Sequence, residues 1–122
     1  MPPSSSSLRV LQGPPMKPAA FLLLVSLAAG DRHGYALRKD VAERSHGSVK
    51  LGPASLYRQI SSLLESGFIE ESGRRPAREL DDERRRYYRL TASGRQALKI
   101  ETQRLENLAA AARAVIPVRA GS

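Results

Sequence analysis

Residues 52–71 read GPASLYRQISSLLESGFIEE, a pattern typical of an amphipathic helix that leads directly into a strand. Pro53 suits the first turn of a helix, because its missing N–H is not needed there. One face carries the apolar residues Leu56, Ile60, Leu63 and Leu64. The opposite face carries hydrogen-bonding side chains: Ser55, Arg58, Gln59 and Ser62. Gly67 provides the left-handed residue that ends many helices, so this stretch predicts a recognition-type helix with a defined end.

A basic segment follows this helix. Residues 74–89 contain seven arginines and four acidic residues, a local net charge of +3. Residues 68–71 and 86–90 have the composition of two strands, which would form a hairpin around a loop at residues 72–83. A recognition-type helix beside a basic hairpin is the arrangement of a winged helix-turn-helix. The predicted fold class is therefore mostly α with a small β-hairpin.

Length, charge and cysteine content limit the possible functions. A chain of 122 residues with a formal net charge of +8 is one small basic domain. This charge favours an anionic partner, nucleic acid before a membrane, although a basic protein without such a partner is an alternative. The absence of Cys excludes disulfides, thiol catalysis and cysteine-based zinc sites.

The chain divides into four parts. Residues 1–16 are rich in Pro and Ser and predict a disordered tail. Met16 is a second candidate for the start of translation, and the sequence does not decide between Met1 and Met16. Residues 17–90 form the winged helix-turn-helix, residues 91–116 a C-terminal helix, and residues 117–122 a flexible end. The apolar residues 19–29 after Lys17 resemble a secretory signal sequence. They are too few to span a bilayer, and we interpret them as a helix buried on all sides.

The C-terminal helix is longer than a small core requires. Thr91 is suited to cap its start, and Pro117 to stop it after about residue 116. Residues at alternating spacings of four and three form a seam that only Glu101 interrupts: Leu98, Leu105, Leu108, Ala112 and Val115. An ordinary helix packed on its own domain is the alternative. We predict a dimerisation helix, with Phe21 of the first helix beside it.

Four blocks of sequence carry a resemblance to a known family. They are HGY at residues 33–35, LGPASLYR at 51–58, LLESGFI at 63–69 and DDERRRYYRLT at 81–91, followed by Gly94. In this order and spacing they resemble the PadR family of winged-helix transcriptional regulators, in its compact subfamily with a single C-terminal helix. The resemblance implies a homodimer in which the C-terminal helix packs on its partner. It also implies two winged helices that face successive major grooves of a palindromic operator.

Candidate DNA-binding residues lie on the recognition helix, just before it and on the wing. We predict that duplex DNA is contacted by Lys50, Ser55, Tyr57, Arg58, Arg84 and Arg85. Ser55 and Arg58 face outward, and the Tyr57 hydroxyl is expected to be free to reach phosphate. In the wing the alternative is a solvated charge run with internal pairing, and we expect Arg86 and Arg89 to be structural. His33 is expected to bond backbone groups, because no second ligand stands at metal-binding spacing.

The predicted function is that of a cytoplasmic, dimeric DNA-binding regulator, most simply a repressor. The alternative is a winged-helix adaptor that holds a protein partner without sequence-specific DNA binding. We expect no enzymatic activity, because no glycine-rich phosphate loop, activated nucleophile or acidic metal cluster is present. No cofactor, metal or membrane partner is expected. The C-terminal helix lacks aromatic residues, so we expect either no small-molecule effector or a weak apolar one.

Overall fold

The computed structural model describes residues 15–72 and 86–117 of the chain. Within these ranges four helices surround a three-stranded antiparallel sheet. In chain order the elements are α1 (Pro18–Ala28), β1 (Arg32–His33), α2 (Gly34–Arg44), α3 (Pro53–Glu65), β2 (Ile69–Glu71), β3 (Tyr87–Leu90) and α4 (Ala92–Val115). A mostly helical chain with a small sheet is the fold class that the sequence predicts.

Helix α1 is the centre of the domain. Pro18 occupies its first turn, and Leu23, Leu24 and Leu27 are buried. The helix contacts α2, α3, α4 and β3, so its apolar composition is explained by burial within the domain. In the part of the chain that the structure describes, no helix combines the length and hydropathy that crossing a membrane requires.

Helix α3 ends in the way its sequence predicts. Gly67 has a φ of +77°, a conformation that most side chains disfavour. The Phe68 N–H donates to the Leu63 carbonyl, and the Gly67 N–H donates to the Leu64 carbonyl, both at 3.1 Å. These two bonds form a Schellman motif, which satisfies carbonyls that the helix end leaves free. The chain therefore turns sharply from α3 into β2.

The sheet contains a strand that the sequence did not predict. The order is β1-β3-β2, with Arg32 opposite Tyr88 and His33 opposite Tyr87 across the first pair. The expected hairpin is confirmed as β2 and β3, and β1 adds a third strand to it. Two residues are too few to show the alternation by which strands are recognised. Strand β1 joins the start of α2 to the wing.

The hydrophobic core is shared by all the helices and the sheet. Each fully buried leucine stabilises it by about 1.5–3 kcal/mol relative to exposure. Its buried members are Leu23, Leu24, Leu27, Leu37, Val41, Leu51, Leu56, Ile60, Leu63, Ile69 and Tyr88. Tyr88 points inward and Tyr87 is half-exposed, as expected for neighbours on a strand.

The start of α4 is fixed against the end of α3. The Thr91 hydroxyl accepts the Gly94 N–H at 3.0 Å, the predicted helix cap, and donates to the Gly67 carbonyl at 2.6 Å. Gly94 is buried, and a Cβ atom there would overlap the Phe68 carbonyl oxygen. The two backbones approach so closely that only glycine fits.

Met16 and Glu101 also meet inside the domain. The Met16 N–H donates to Glu101 Oε2 at 3.2 Å, and the Met16 side chain packs against the core. The sequence places Met16 at the end of the disordered tail, but in the structure Met16 has tertiary contacts. Glu101 is only 4% exposed and also pairs with Arg104, so its carboxylate faces the interior of its own domain.

Candidate nucleic-acid interface

The first half of α3 projects from the domain. Leu56 and Ile60 anchor it in the core, while Gly52, Pro53 and Ala54 are exposed. Helix-turn-helix proteins place these first residues of the recognition helix against base edges in the major groove. The capless start of α3 also leaves backbone N–H groups available to an anion.

Ser55 and Arg58 lie on this projecting face. Ser55 is half-buried and Arg58 is exposed, which agrees with the outward direction expected from their spacing. Within residues 15–72 and 86–117, Arg58 makes no hydrogen bond or ion pair. An arginine in this position keeps its whole fork of donors for a guanine edge or a phosphate.

Tyr57 of α3 lies close to the start of α2. The ring is half-buried, and its hydroxyl lies against Gly34 at the start of α2, 3.1 Å from where a Cβ atom of that glycine would stand. The side chain therefore packs between the two helices of the helix-turn-helix. A contact between the Tyr57 hydroxyl and a DNA phosphate stays a prediction.

The outer face of α2 adds residues that sequence reasoning did not select for DNA binding. Tyr35, Arg38 and Lys39 share this face and are exposed, and Lys50 stands beside them before α3. The missed signal is their spacing, because positions i, i+3 and i+4 fall together on one helix face. The structure adds that Tyr35 is 67% exposed. Together these residues extend the basic surface from α3 onto α2.

The wing arginines that the structure describes are paired. Arg89 Nε lies 2.8 Å from Glu70 Oε1, and Arg86 lies 3.6 Å from Glu71. These half-exposed cross-strand pairs agree with the structural role expected for both arginines, and each contributes about 0–1 kcal/mol. The predicted contacts Arg84 and Arg85, and the loop that was expected to form the tip of the wing, fall outside the described residues apart from Ser72.

His33 connects the wing to the helix-turn-helix. Its Nδ1 atom accepts the Ala36 N–H at 3.1 Å and so caps α2. Its ring meets the Tyr87 ring edge-on, with centroids 5.5 Å apart. The expected backbone bond is confirmed. Among the residues that the structure describes, no group of His, Asp and Glu could hold a metal ion.

The predicted dimerisation residues divide into two groups. Leu98 packs against the core of its own domain, and Phe21 is half-buried on α1. The others project from the second half of α4: Leu105 is 41% exposed, Leu108 60% and Val115 81%, and Ala112 is also exposed. Ile116, just after the helix, is 54% exposed and continues this apolar surface.

A small cavity lies beside this surface. It has a volume of about 340 Å³ and a mainly apolar lining from α1, the turn after α2 and α4. Phe21 is its single aromatic residue among those described, with Glu101 and Leu105 at its α4 side. A planar ring could therefore stack on one side only. The mainly apolar lining suits a weakly bound apolar effector, which stays a prediction.

Comparisons with known proteins agree with this geometry. The sequence matches the PadR-like family of transcriptional regulators over residues 23–100, from within α1 to within α4. No curated protein gives a significant match. The matched segment contains the helix-turn-helix and all three strands.

Solved structures share the fold at low sequence identity. A transcriptional regulator from Clostridium thermocellum is 21% identical, with a TM-score of 0.66 over 94% of this chain and 99% of that one. A PadR family transcription regulator from Clostridium difficile is 24% identical, with a TM-score of 0.65 over 78% of this chain and 94% of that one. At these identities the likeness supports the fold alone. The family match spans more than half of the sequence, and this chain belongs to the PadR-like family of transcriptional regulators, which are non-enzymatic DNA-binding proteins.

Proposed function

We propose that this chain is a cytoplasmic repressor that binds a palindromic operator as a homodimer. Each protomer inserts the start of α3 into a major groove, and its wing follows the neighbouring backbone. Phosphate contacts provide most of the affinity, and α3 provides most of the sequence preference. Repression follows from occupancy, because a dimer on its operator excludes polymerase from the same DNA.

The observation that carries this proposal is the exposed start of α3. Ser55 and Arg58 stand on a helix whose other face is anchored by Leu56 and Ile60 in the core. A rigid helix whose hydrogen-bonding groups have no partner among residues 15–72 and 86–117, in a basic setting, is suited to a base-edge contact.

The homodimer is supported by the second half of α4. Leu105, Leu108 and Val115 present an apolar stripe to solvent, and such stripes on small proteins mark interaction surfaces. A stripe along one helix is self-complementary about a two-fold axis, so the same patch can meet its copy. Two recognition helices related by that axis suit half-sites about 34–36 Å apart.

Fluorescence anisotropy with the full chain tests the proposal. The probes are the DNA upstream of its own gene and a shuffled duplex of equal length, both at about 150 mM salt. Binding to the upstream fragment should exceed binding to the shuffled duplex by about 10³-fold or more. Equal affinity for both duplexes would contradict an operator-binding regulator and favour the adaptor. A reporter driven by the same fragment should lose expression when the protein is supplied, and a rise would contradict repression.

Two substitutions separate base contacts from phosphate contacts. Arg58→Ala should reduce the ratio of operator to shuffled affinity by about 5- to 100-fold, because Arg58 reads a base edge. Arg85→Ala is the matched control and should weaken both affinities alike, because phosphate carries no sequence. If Arg58→Ala lowered both affinities equally, Arg58 would be a backbone contact instead.

A further inference from the structure

A second basic feature lies at the corner where α2 meets the start of α3. Arg38, on the outer face of α2, donates from Nε to the carbonyl oxygen of Leu51 at 2.6 Å. Leu51 is buried and immediately precedes Gly52, the N-cap residue of α3. The bond therefore joins an exposed side chain of the first helix to the backbone that leads into the recognition helix.

The Leu51 carbonyl is a natural point of control for α3. It belongs to the loop between two helices, and the only bond that it accepts within the described residues comes from Arg38. A guanidinium can donate from Nε to one group and from its terminal nitrogens to another. Within residues 15–72 and 86–117, the terminal nitrogens of Arg38 have no hydrogen-bond partner. One face of Arg38 is thus committed to α3, and the other is open.

The surroundings of Arg38 are basic and concave. One groove beside it, about 350 Å³ in volume, is lined by Tyr35, Lys39 and Lys50 together with apolar residues. A second groove on its other side reaches along the start of α3 to Tyr57. Neither groove contains an acidic residue among the described residues that line it.

The absence of acidic neighbours distinguishes this corner from other basic positions. Two turns further along α2, Arg44 Nε lies 2.6 Å from Asp40. Arg86, Arg89 and Arg104 also have carboxylate partners. Within the described part of the chain, Arg38, Lys39 and Lys50 form no ion pair with a carboxylate. An arginine, two lysines and a tyrosine hydroxyl around a concave surface are the donors that a phosphate oxygen accepts from.

We propose that Tyr35, Arg38, Lys39 and Lys50 bind one backbone phosphate of duplex DNA in each half-site, and that Arg38 transmits this contact to α3. The inference rests on the proposed DNA-binding function and adds a site that lies outside α3 and the wing. Phosphate on the terminal nitrogens of Arg38 holds Nε against the Leu51 carbonyl, which fixes the position of α3 in the groove. Arg38 is then a positioning residue as well as a phosphate contact.

Three variants separate charge from positioning. Lys39→Gln removes a charge from the groove without touching the Leu51 carbonyl. Operator and shuffled affinity should fall together, and the slope of log affinity against log salt should become shallower, by up to about 2 units per dimer. Arg38→Lys keeps the charge, but its single nitrogen cannot serve Leu51 and a phosphate in the same way. Its salt slope should be unchanged, while the ratio of operator to shuffled affinity falls about fivefold or more. Arg38→Gln should show both effects.

The control is Arg95→Gln, which removes the same charge from an exposed position in the first turn of α4. It should leave both the slope and the ratio unchanged. Circular dichroism and thermal unfolding of each variant verify the fold, and Lys39→Gln is a second measure of the phosphate site should Arg38→Gln unfold.

The outcomes distinguish this inference from the function on which it rests. If the unmodified protein binds its upstream DNA but Lys39→Gln and Arg38→Gln keep its salt slope, the phosphate site is wrong. If Arg38→Lys also keeps the full ratio of operator to shuffled affinity, the positioning role is wrong. If the unmodified protein binds no duplex, the proposed function itself fails, and this inference fails with it.

Discussion

The two halves of α4 belong to one continuous helix and have opposite environments. In the first half the buried residues are Gly94, Ala97 and Glu101, and Leu98 packs against the core. In the second half every residue from position 110 onward is exposed. An isolated helix of about 12 residues is marginal in water, so the projecting half requires either strong intrinsic propensity or a second surface. Its alanines supply the first, and its leucines indicate the second.

This difference shows what a single chain does and does not explain. The first half of α4 is accounted for by contacts with α1, β3 and the turn after α3. The second half has no comparable contact within the described residues, and its stripe has the spacing of a helix that pairs with another. The first half therefore stabilises the domain, and we assign the second half to the proposed dimer.

The largest expected effect comes from charging the projecting half. Leu105→Glu/Leu108→Glu would place four carboxylates in the dimer interface, where each unpaired buried charge costs several kcal/mol, about 3 or more. Each lost leucine removes about 2 kcal/mol of apolar burial as well. The variant should sediment as a folded monomer and lose operator binding. Analytical ultracentrifugation and circular dichroism measure both properties.

The matched control adds the same charges on the other side of the helix. Gln103 and Ala110 are exposed, and Gln103→Glu/Ala110→Glu should sediment like the unmodified protein. A folded Leu105→Glu/Leu108→Glu variant that remained a dimer would place the interface elsewhere, with α1 around Phe21 as the next candidate.

The second prediction concerns the packed half. Gly94→Ala introduces a methyl group that overlaps the Phe68 carbonyl, so the backbone of α4 or of the turn must move. Overpacking against backbone should reduce the free energy of unfolding by about 3 kcal/mol. Urea denaturation measures this value. Gly52→Ala is the control, because a Cβ atom at Gly52 meets nothing within 4 Å and should cost far less. Equal stability of the two variants would contradict the close approach at Gly94.

A third prediction uses salt to count the protomers on DNA. Lys50, Arg58, Arg84 and Arg85 in two protomers would neutralise about six to eight phosphates, which gives a slope of log affinity against log salt of about −5 to −7. The weak residual DNA binding of the Leu105→Glu/Leu108→Glu monomer, measured at higher protein concentration, should show about half that slope, because the monomer carries one set of contacts. A slope shallower than about −2 for the unmodified protein would exclude this electrostatic footprint.

The smallest expected effect is a pH dependence of the free energy of unfolding, caused by Asp40 of α2. Burial raises the pKa of Asp40, but the nearby Ser26 hydroxyl and the charges of Arg44 and Arg32 outweigh it and hold the pKa below its ordinary value. A lowered pKa stabilises the fold above about pH 4, and this contribution is lost as the pH falls through the folded-state pKa. Asp40→Asn should therefore cost about 0.5–1 kcal/mol at pH 7 and little near pH 3. Urea titrations at both values test it, and a constant difference would contradict the mechanism.

The helices were predictable because their ends carry local chemical signals. Pro53, Gly67 and Thr91 act on bonds within a few residues, and the observed ends of α3 and α4 fall within one or two residues of expectation. The inward direction of one tyrosine in β3 follows from strand alternation in the same way.

Other features depend on distant parts of the chain and could not be predicted. Strand β1 exists because β3 lies beside it, and the Tyr57 ring lies against Gly34 because the fold brings α2 and α3 together. Glu101 faces the interior of the domain, where its carboxylate accepts a hydrogen bond from Met16, a residue 85 positions away in the sequence. The basic corner around Arg38 reads in sequence as an ordinary solvated helix face, and only the structure shows that the described residues lining its two grooves include no carboxylate.

The Thr91 hydroxyl, with bonds to both Gly67 and Gly94, gives the molecule a stiff joint between α3 and α4. In the proposed dimer α4, about 36 Å long, would then move as a rigid rod that pivots on the partner's α4. A tilt of about 5° between the two α4 helices would displace their N-terminal ends by about 3 Å. That displacement would move the two recognition helices and change the half-site spacing that they match. A compound that changed the angle between the two α4 helices would therefore weaken operator binding without contacting any DNA-binding residue.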